Sequence, residues 1–331
     1  MQKKVRIIQY GLGPIGSAVA RHVVERPGLE LVGCVDIDPA KVGRDAGEVI
    51  GLDRPLGFAV DGNLAQVLER TQAEVVIHTT SSYFDLFEDQ IVEILEAGLD
   101  IVSTAEELSF PWMSNAQQAA KIDAVAKRAG KTVLGTGVNP GFLMDALPLF
   151  LTAISQRVDS IDVTRVINAS TRRGPFQAKI GSGLTVEAFN AKMAAGRMGH
   201  VGLPESVGMV FDTLGKTLAR YESAVEPVLA ETLTSTEHFQ VQPGQVRGLK
   251  QVARAYTEEG EFMTLTFVAA LDVGQDGDTI TIAGKPDLEV KLQGTNGDLA
   301  TVAIAVNAVR RVKEAAPGLV TMRDLPIVTF S

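Results

Sequence analysis

Three groups of side chains in this sequence have the types and spacing to do chemistry. The first is Gly11-Leu12-Gly13-Pro14-Ile15-Gly16, a G-x-G-x-x-G run that follows the apolar stretch 5–10 and opens a helix-period run. Glycines at these spacings permit a tight turn, close approach of backbone to a diphosphate, and close packing of helix on strand. The diphosphate would meet unpaired N–H groups and the positive dipole end at the helix N-terminus. A second apolar run, 29–35, ends in Asp36, twenty positions after Gly16. An acid there accepts from adenosine ribose hydroxyls, with Ile37 beside it. Asp36 and Asp38 favour NAD, whereas Lys41 or Arg44 could reach a 2′-phosphate; NAD is expected and NADP is admissible.

The second group is Glu106-Glu107, placed after the strand-like run 100–103 and before Leu108-Ser109-Phe110-Pro111-Trp112. An acid at the end of a strand could hold an ammonium group and exchange a proton with it. The alternative is that both glutamates only favour the N-terminus of a short helix. Position alone does not choose between the two.

The third group is the histidines, at 22, 78, 200 and 238. His22 and His238 read as surface or packing residues, and His78, inside an apolar strand, as a hydrogen-bonded core residue. His200 lies in Gly199-His200-Val201-Gly202-Leu203-Pro204-Glu205-Ser206, a glycine-flanked loop, and stands open between a pocket residue and a structural one. With no H-E-x-x-H and no Cys/His cluster, a metal site is not expected. The single cysteine, Cys34, falls in the second strand, which rules out an intramolecular disulfide and a thioester route and points to the cytoplasm.

Positioning these groups requires a frame. Strand and helix patterns alternate through roughly the first 140 residues, which implies a parallel sheet with helices on both faces. Ligands of such sheets gather at the carboxyl ends of the strands. There the chain carries Thr79-Thr80-Ser81-Ser82, then Ser103-Thr104-Ala105, then Gly135-Thr136-Gly137-Val138-Asn139-Pro140-Gly141, all expected to line the cofactor. Beyond Phe142 the pattern changes to a helix over 142–155, a strand over 160–166, helices over 185–195 and 204–218, and strands over 262–271, 279–282 and 288–292. Gly-Gln-Asp-Gly-Asp at 274–278 is a hairpin signal.

An apolar helix over 299–312 is expected to return to the first domain, with Asn307 on the nicotinamide side. The fold class is therefore α/β: a Rossmann-type doubly wound parallel sheet over 1–140 plus 299–331, and a second α+β domain over 141–298 with an open, largely antiparallel sheet. A net charge of −9 with no dense Lys/Arg run argues against nucleic-acid or anionic-membrane partners, and no apolar run reaches the length of a bilayer span.

Five motifs in order resemble one family. Gly11–Gly16, Val102-Ser103-Thr104-Ala105-Glu106-Glu107, Gly135–Gly141, Gly199–Ser206 and Ala316-Pro317-Gly318-Leu319-Val320-Thr321-Met322 together are similar to 2,4-diaminopentanoate dehydrogenase and the native amine dehydrogenases related to it. The resemblance implies NAD(P)-dependent oxidative deamination of an amine to a ketone or aldehyde, and reductive amination with ammonia in reverse. It puts the family's catalytic glutamate on Glu106 and leaves Glu107, Asn139, Phe142, Arg165 and His200 as candidates for the substrate pocket.

The implied fold is also that of dihydrodipicolinate reductases, whose His-His pair is absent here. Arg172 and Arg173 stand where a more neutral segment is expected, so a simple amine is favoured over a diamino acid. The alternatives are 2,4-diaminopentanoate dehydrogenase proper, a cyclic imine reductase, and a nucleotide-sensing regulator that has lost chemistry. A homodimer is expected.

Overall fold

The first strand, β1 (Val5–Tyr10), is almost wholly buried, the signature of a strand covered on both faces. The structure, a computed structural model, describes residues 3–196 and 198–330. After β1 come α1 (Pro14–Glu25), β2 (Leu29–Val35), α2 (Ala46–Val49), α3 (Leu64–Arg70), β3 (Val75–His78), α4 (Phe84–Glu96), β4 (Asp100–Ser103), α5 (Ala116–Ala129), β5 (Thr132–Gly135) and α6 (Ala146–Leu151). The chain continues through β6 (Arg157–Asn168), α7 (Gly174–Lys179), α8 (Val186–Ala194), α9 (Leu203–Thr213) and β7 (Arg220–Leu229). A short pair follows, β8 (Thr234–Ser235) with β9 (Gln240–Val241), then β10 (Val246–Thr257), β11 (Gly260–Ala270), β12 (Gly277–Lys285) and β13 (Leu288–Gln293). Last are α10 (Gly297–Glu314) and β14 (Gly318–Val320).

Two compact units result: one runs to Ala146 and resumes at Asn296, and the other is Leu147–Thr295. In the first, six parallel strands are ordered β14-β5-β4-β3-β1-β2. The order reverses direction between β1 and β3, and that crevice is where an open α/β sheet binds ligands. Helix α10 belongs to this unit because Val302, Ala305, Val306, Val309 and Val312 fall on one face and are buried against α1 and the sheet. Each of these valines contributes about 1.5–3 kcal/mol relative to exposure. Strand β14, which pairs with β5, has only three residues and no period of its own to betray it.

The second unit is a six-stranded, mostly antiparallel sheet, β13-β12-β6-β11-β10-β7, so the expected α/β fold with an open second sheet is what the chain adopts. Two local expectations are corrected. The signal at 274–278 does not close a hairpin: β6 inserts between β11 and β12, parallel to the first and antiparallel to the second. A turn sequence reverses the chain but does not choose its neighbour. The helix expected over 142–155 is α6 followed by a 3-10 turn, Thr152–Ile154. Gly141 adopts φ +116, and the Asp145 carboxylate accepts from the N–H of both Gly141 and Ala146, so the helix starts late. Among the described residues no helix is long and apolar enough to cross a membrane.

Candidate functional site

The glycine turn follows β1 at the crevice between β1 and β3. Gly11 has φ +90, and a Cβ there would come within 2.8 Å of the Thr79 carbonyl; a Cβ on Gly16 would overlap the Gly11 carbonyl. Those two glycines are demanded by packing. Gly13 is different: a Cβ there would meet no atom within 4 Å. Its bareness leaves open the approach to the first turn of α1, which Gly13 caps without a side-chain hydrogen bond and which exposed Pro14 begins. Leu12 is buried beneath the turn and Ile15 half-buried.

The turn is held from both sides. Thr79 Oγ1 donates to the Gly11 carbonyl at 2.9 Å, and Gln9 Nε2 donates to the same carbonyl at 2.9 Å and to Thr79 Oγ1 at 2.8 Å. Sequence reasoning missed Gln9; the available signal was an amide inside an otherwise apolar strand. From β2, Asp36 Oδ2 accepts from Leu12 N at 2.7 Å and from Lys41 Nζ at 3.1 Å, while Oδ1 accepts from Asp38 N at 2.9 Å. Burial pushes the Asp36 carboxyl up, but the N–H groups of Asp38 and Leu12 and the Lys41 ammonium outweigh it and hold the group below the usual carboxylate range. Of about four lone-pair positions on a carboxylate, these three bonds leave one on Oδ1. Ile37 beside it is 85% exposed. Glycines shaped for a diphosphate and an ionised acid with one acceptor position left fit a nicotinamide dinucleotide.

The second turn follows β4. Glu106 begins a 3-10 turn, Glu106–Leu108, and is half-buried. Glu107 goes elsewhere: its Oε2 accepts from Phe84 N at 2.7 Å, at the start of α4. Tyr83, the N-cap of α4, has no side-chain cap bond, so Glu107 supplies the missing acceptor and a charge suited to that helix end. The expectation that Glu107 lines a substrate pocket is corrected on this ground.

Ser103, expected at the cofactor, is also corrected: it is fully buried, and its hydroxyl is engaged with His78 and with Ala105 N. Ala105 is buried and Thr104 half-buried. Thr80 Oγ1 bonds His78 and Gln90, and Ser81 Oγ accepts from Tyr83 N. Beyond β5, Asn139 is buried with its amide donating to Met144 Sδ at 3.0 Å, and Phe142 is half-buried.

Asn307 requires correction as well. Its Oδ1 accepts from Arg26 Nη2 at 3.0 Å, at the far end of α1 from the glycine turn. A half-buried amide is stabilised by a partner, and an arginine supplies it there.

In the other unit Arg165 and His200 come close together. Arg165, 2% exposed, lies opposite Asp278 across the β6–β12 pair and bonds it at 3.1 Å. Burial pulls the guanidinium down and pushes the Asp278 carboxyl up, each opposed by the partner's charge. His200 stacks on Phe267, with ring centroids 4.5 Å apart, and its backbone N–H donates to Gln251. Burial, then the charges of Arg165 and Lys179, hold its imidazole at about 3, so it is neutral near pH 7. No group of three or more His, Cys, Asp or Glu able to hold a metal occurs among the described residues.

Residues 5–108 match the family model of the dihydrodipicolinate reductase N-terminus, and residues 142–330, more than half the chain, that of the 2,4-diaminopentanoate dehydrogenase C-terminal domain. The 2,4-diaminopentanoate dehydrogenase of Acetoanaerobium sticklandii is 32% identical, over 98% of this chain and 94% of that protein. The chain belongs to the 2,4-diaminopentanoate dehydrogenase family. The resemblance read from five motifs is thereby borne out. Within reach of the same family stands the amine dehydrogenase of Streptomyces virginiae, 24% identical over 98% of this chain and 96% of its own. The solved amine dehydrogenase of Mycobacterium smegmatis superposes with a TM-score of 0.88 at 26% identity, covering 99% of this chain and 97% of that one.

Proposed function

We propose that this member of the 2,4-diaminopentanoate dehydrogenase family is an NAD(P)-dependent amine dehydrogenase that oxidises a small amine to a ketone or aldehyde, and aminates the carbonyl with ammonia in reverse. The observation that carries the proposal is the divergence of the two glutamates after β4. Glu107 turns to α4, whereas Glu106 opens the turn after β4, half-buried, in the same unit as the dinucleotide turn.

When bound, the nicotinamide supplies the hydride acceptor for oxidation and the donor for the reverse reaction. The chain does the rest. Gly11, Gly13 and Gly16 admit the diphosphate to the N-terminus of α1. The remaining lone pair of Asp36 takes a ribose hydroxyl, which favours NAD over NADP. Thr79 holds the turn in shape.

The Glu106 carboxylate takes a proton from the substrate ammonium, since an amine carbon gives up hydride only when nitrogen has a lone pair to share. Once that proton has passed to solvent, the regenerated carboxylate stabilises the iminium. In reverse the same group assists addition of ammonia and loss of water. Asn139 and Phe142 are assigned to the substrate side of this unit. His200 and Arg165 belong to the other unit, where Arg165 is paired with Asp278.

A second reading, the diamino acid itself, is favoured by the higher identity to the Acetoanaerobium enzyme. A homodimer working in the cytoplasm belongs to the same proposal.

The test is NAD+ and NADP+ reduction at alkaline pH over aliphatic amines and 2,4-diaminopentanoate, for the wild type and Glu106→Gln. The variant should bind NADH as the wild type does and lose at least about 10²-fold in kcat, the lower range of general acid–base assistance. Full turnover by Glu106→Gln would end the assignment, and NADH binding without turnover of any amine or ketone by the wild type would favour a nucleotide sensor.

A further inference from the structure

His78 is the last residue of β3 and has no exposed surface. Its register partners are Tyr10 on β1 and Ser103 on β4, so it stands between the strand that leads into the glycine turn and the strand that leads to Glu106. The ring packs against Tyr10 and Phe87, at centroid distances of 5.7 Å and 6.1 Å. Inside this apolar slot both ring nitrogens are bonded. Nε2 lies 2.8 Å from Gln90 Oε1 and 2.8 Å from Thr80 Oγ1, and Nδ1 lies 2.9 Å from Ser103 Oγ.

The proton positions follow from the partners. A glutamine oxygen only accepts, so Nε2 carries the hydrogen. A neutral imidazole then leaves Nδ1 as an acceptor, and burial does keep this ring neutral, with its pKa pushed down to about 4. Ser103 therefore directs its hydroxyl proton to Nδ1 and keeps its lone pairs for Ala105 N, which donates to it at 3.1 Å. The backbone carbonyl of His78 meanwhile accepts from Thr104 N at 3.0 Å. The N–H groups of the two residues before Glu106, Thr104 and Ala105, are thus both tied to His78, one through its carbonyl and one through its ring by way of Ser103.

On the other side, Gln90 anchors the ring to α4, the helix whose first N–H is capped by Glu107. The same helix therefore fixes the turn before and after the acid. Both ring nitrogens are bonded: Nδ1 to Ser103, on the segment that carries Glu106, and Nε2 to Gln90 of α4 and to Thr80.

We propose that His78 is a positioning residue for Glu106, setting the direction of its carboxylate through the Ser103 hydroxyl and the Thr104–Ala105 backbone. The inference rests on the assignment of Glu106 as the acid–base group, and the two can fail separately. Displacing a catalytic group by about 1 Å costs up to roughly 10²-fold in rate. Replacing His78 by Phe keeps the aromatic packing and removes both ring bonds; replacing it by Asn puts an amide oxygen near the place of Nδ1, where the Ser103 hydroxyl can donate to it.

The experiment measures kcat and KM for NAD+ and for the fastest amine of the panel above in His78→Phe, His78→Asn, Ser103→Ala, the double variant His78→Phe/Ser103→Ala, and Glu106→Gln, with NADH affinity for each. His78→Phe and Ser103→Ala should each lower kcat by about 10- to 100-fold with both KM values and NADH affinity within about twofold of wild type. The double variant should be no slower than the worse single, because both act on one chain of bonds. His78→Asn should recover most of kcat.

Unchanged kcat in Ser103→Ala, a substitution small enough to fold, alongside a dead Glu106→Gln would overturn the positioning role and leave the acid–base assignment standing. A parallel loss of NADH affinity and kcat in His78→Phe, with no recovery in His78→Asn, would show a merely structural histidine and overturn it too. An active Glu106→Gln would remove both.

Discussion

The Asp36→Asn variant tests how the cofactor is chosen. The side chain keeps its shape and one acceptor oxygen, so Leu12 N or Asp38 N can still be satisfied, but the charge that pairs with Lys41 at 3.1 Å is gone. A 2′-phosphate occupying the position of the ribose hydroxyl would sit roughly 5 Å from that charge. At an effective dielectric of about 20 the repulsion is of order 3 kcal/mol per unit charge before screening, and about 1–3 kcal/mol at physiological salt. Removing it should tighten NADPH binding by about 5- to 150-fold.

NADH loses something as well, because a charge-assisted bond to its hydroxyl becomes a neutral one, a difference of about 1 kcal/mol. Lys41, released from Asp36, can turn to the phosphate. The ratio of NADPH to NADH affinity should therefore rise by at least about tenfold. Fluorescence titration with NADH and NADPH reads this without any substrate. Against burial, the N–H groups of Asp38 and Leu12 and the Lys41 ammonium hold the Asp36 carboxyl below its ordinary range, so Asp36 itself adds no pH dependence to the discrimination between pH 5 and neutrality. A ratio unchanged within about twofold, or a wild type that already prefers NADPH, would refute the role given to this acid.

Glu107→Ala should leave kcat within about twofold, because the carboxylate faces α4. It should open that helix end by about 1 kcal/mol, seen as roughly fivefold faster amide exchange near residue 84. Loss of turnover instead would mean that the wrong glutamate has been taken as the acid. The buried imidazole of His78 makes a separate prediction for stability in acid. Its pKa is lowered from 6.5 to about 4 by burial, so between those values the unfolded chain binds a proton that the folded chain does not. The stability it carries is whole above about pH 6.5 and falls as pH drops towards 4, by about 3 kcal/mol in all. Urea unfolding of His78→Phe from pH 7 to 4 should show a shallower acid limb than the wild type; equal slopes would mean that the ring is not held neutral.

Much of this protein was legible before any coordinates. The glycine turn was readable because its constraints are local: Gly11 and Gly16 are required by atoms within one strand–turn–helix unit, and a motif is the record of such a unit. The alternation of buried strands with amphipathic helices announced a parallel sheet because burial on both faces leaves its period in composition. Asp36 could be placed by counting, since the length of α1 and its return strand sets the distance.

What the tertiary structure decided lies between segments distant in sequence. Glu106 and Glu107 are chemically identical neighbours, and only the start of α4, twenty-three residues away, takes one of them. Ser103 and Thr79 are both hydroxyl residues at strand ends, yet one is drawn inward by His78 and the other bonds the Gly11 carbonyl. Asn307 found Arg26 across 281 positions. The insertion of β6 between β11 and β12, and the register that sets Arg165 opposite Asp278, follow from competition among strands for neighbours. A side chain's type limits what it can bond, but which partner it meets depends on where the whole chain brings the other one.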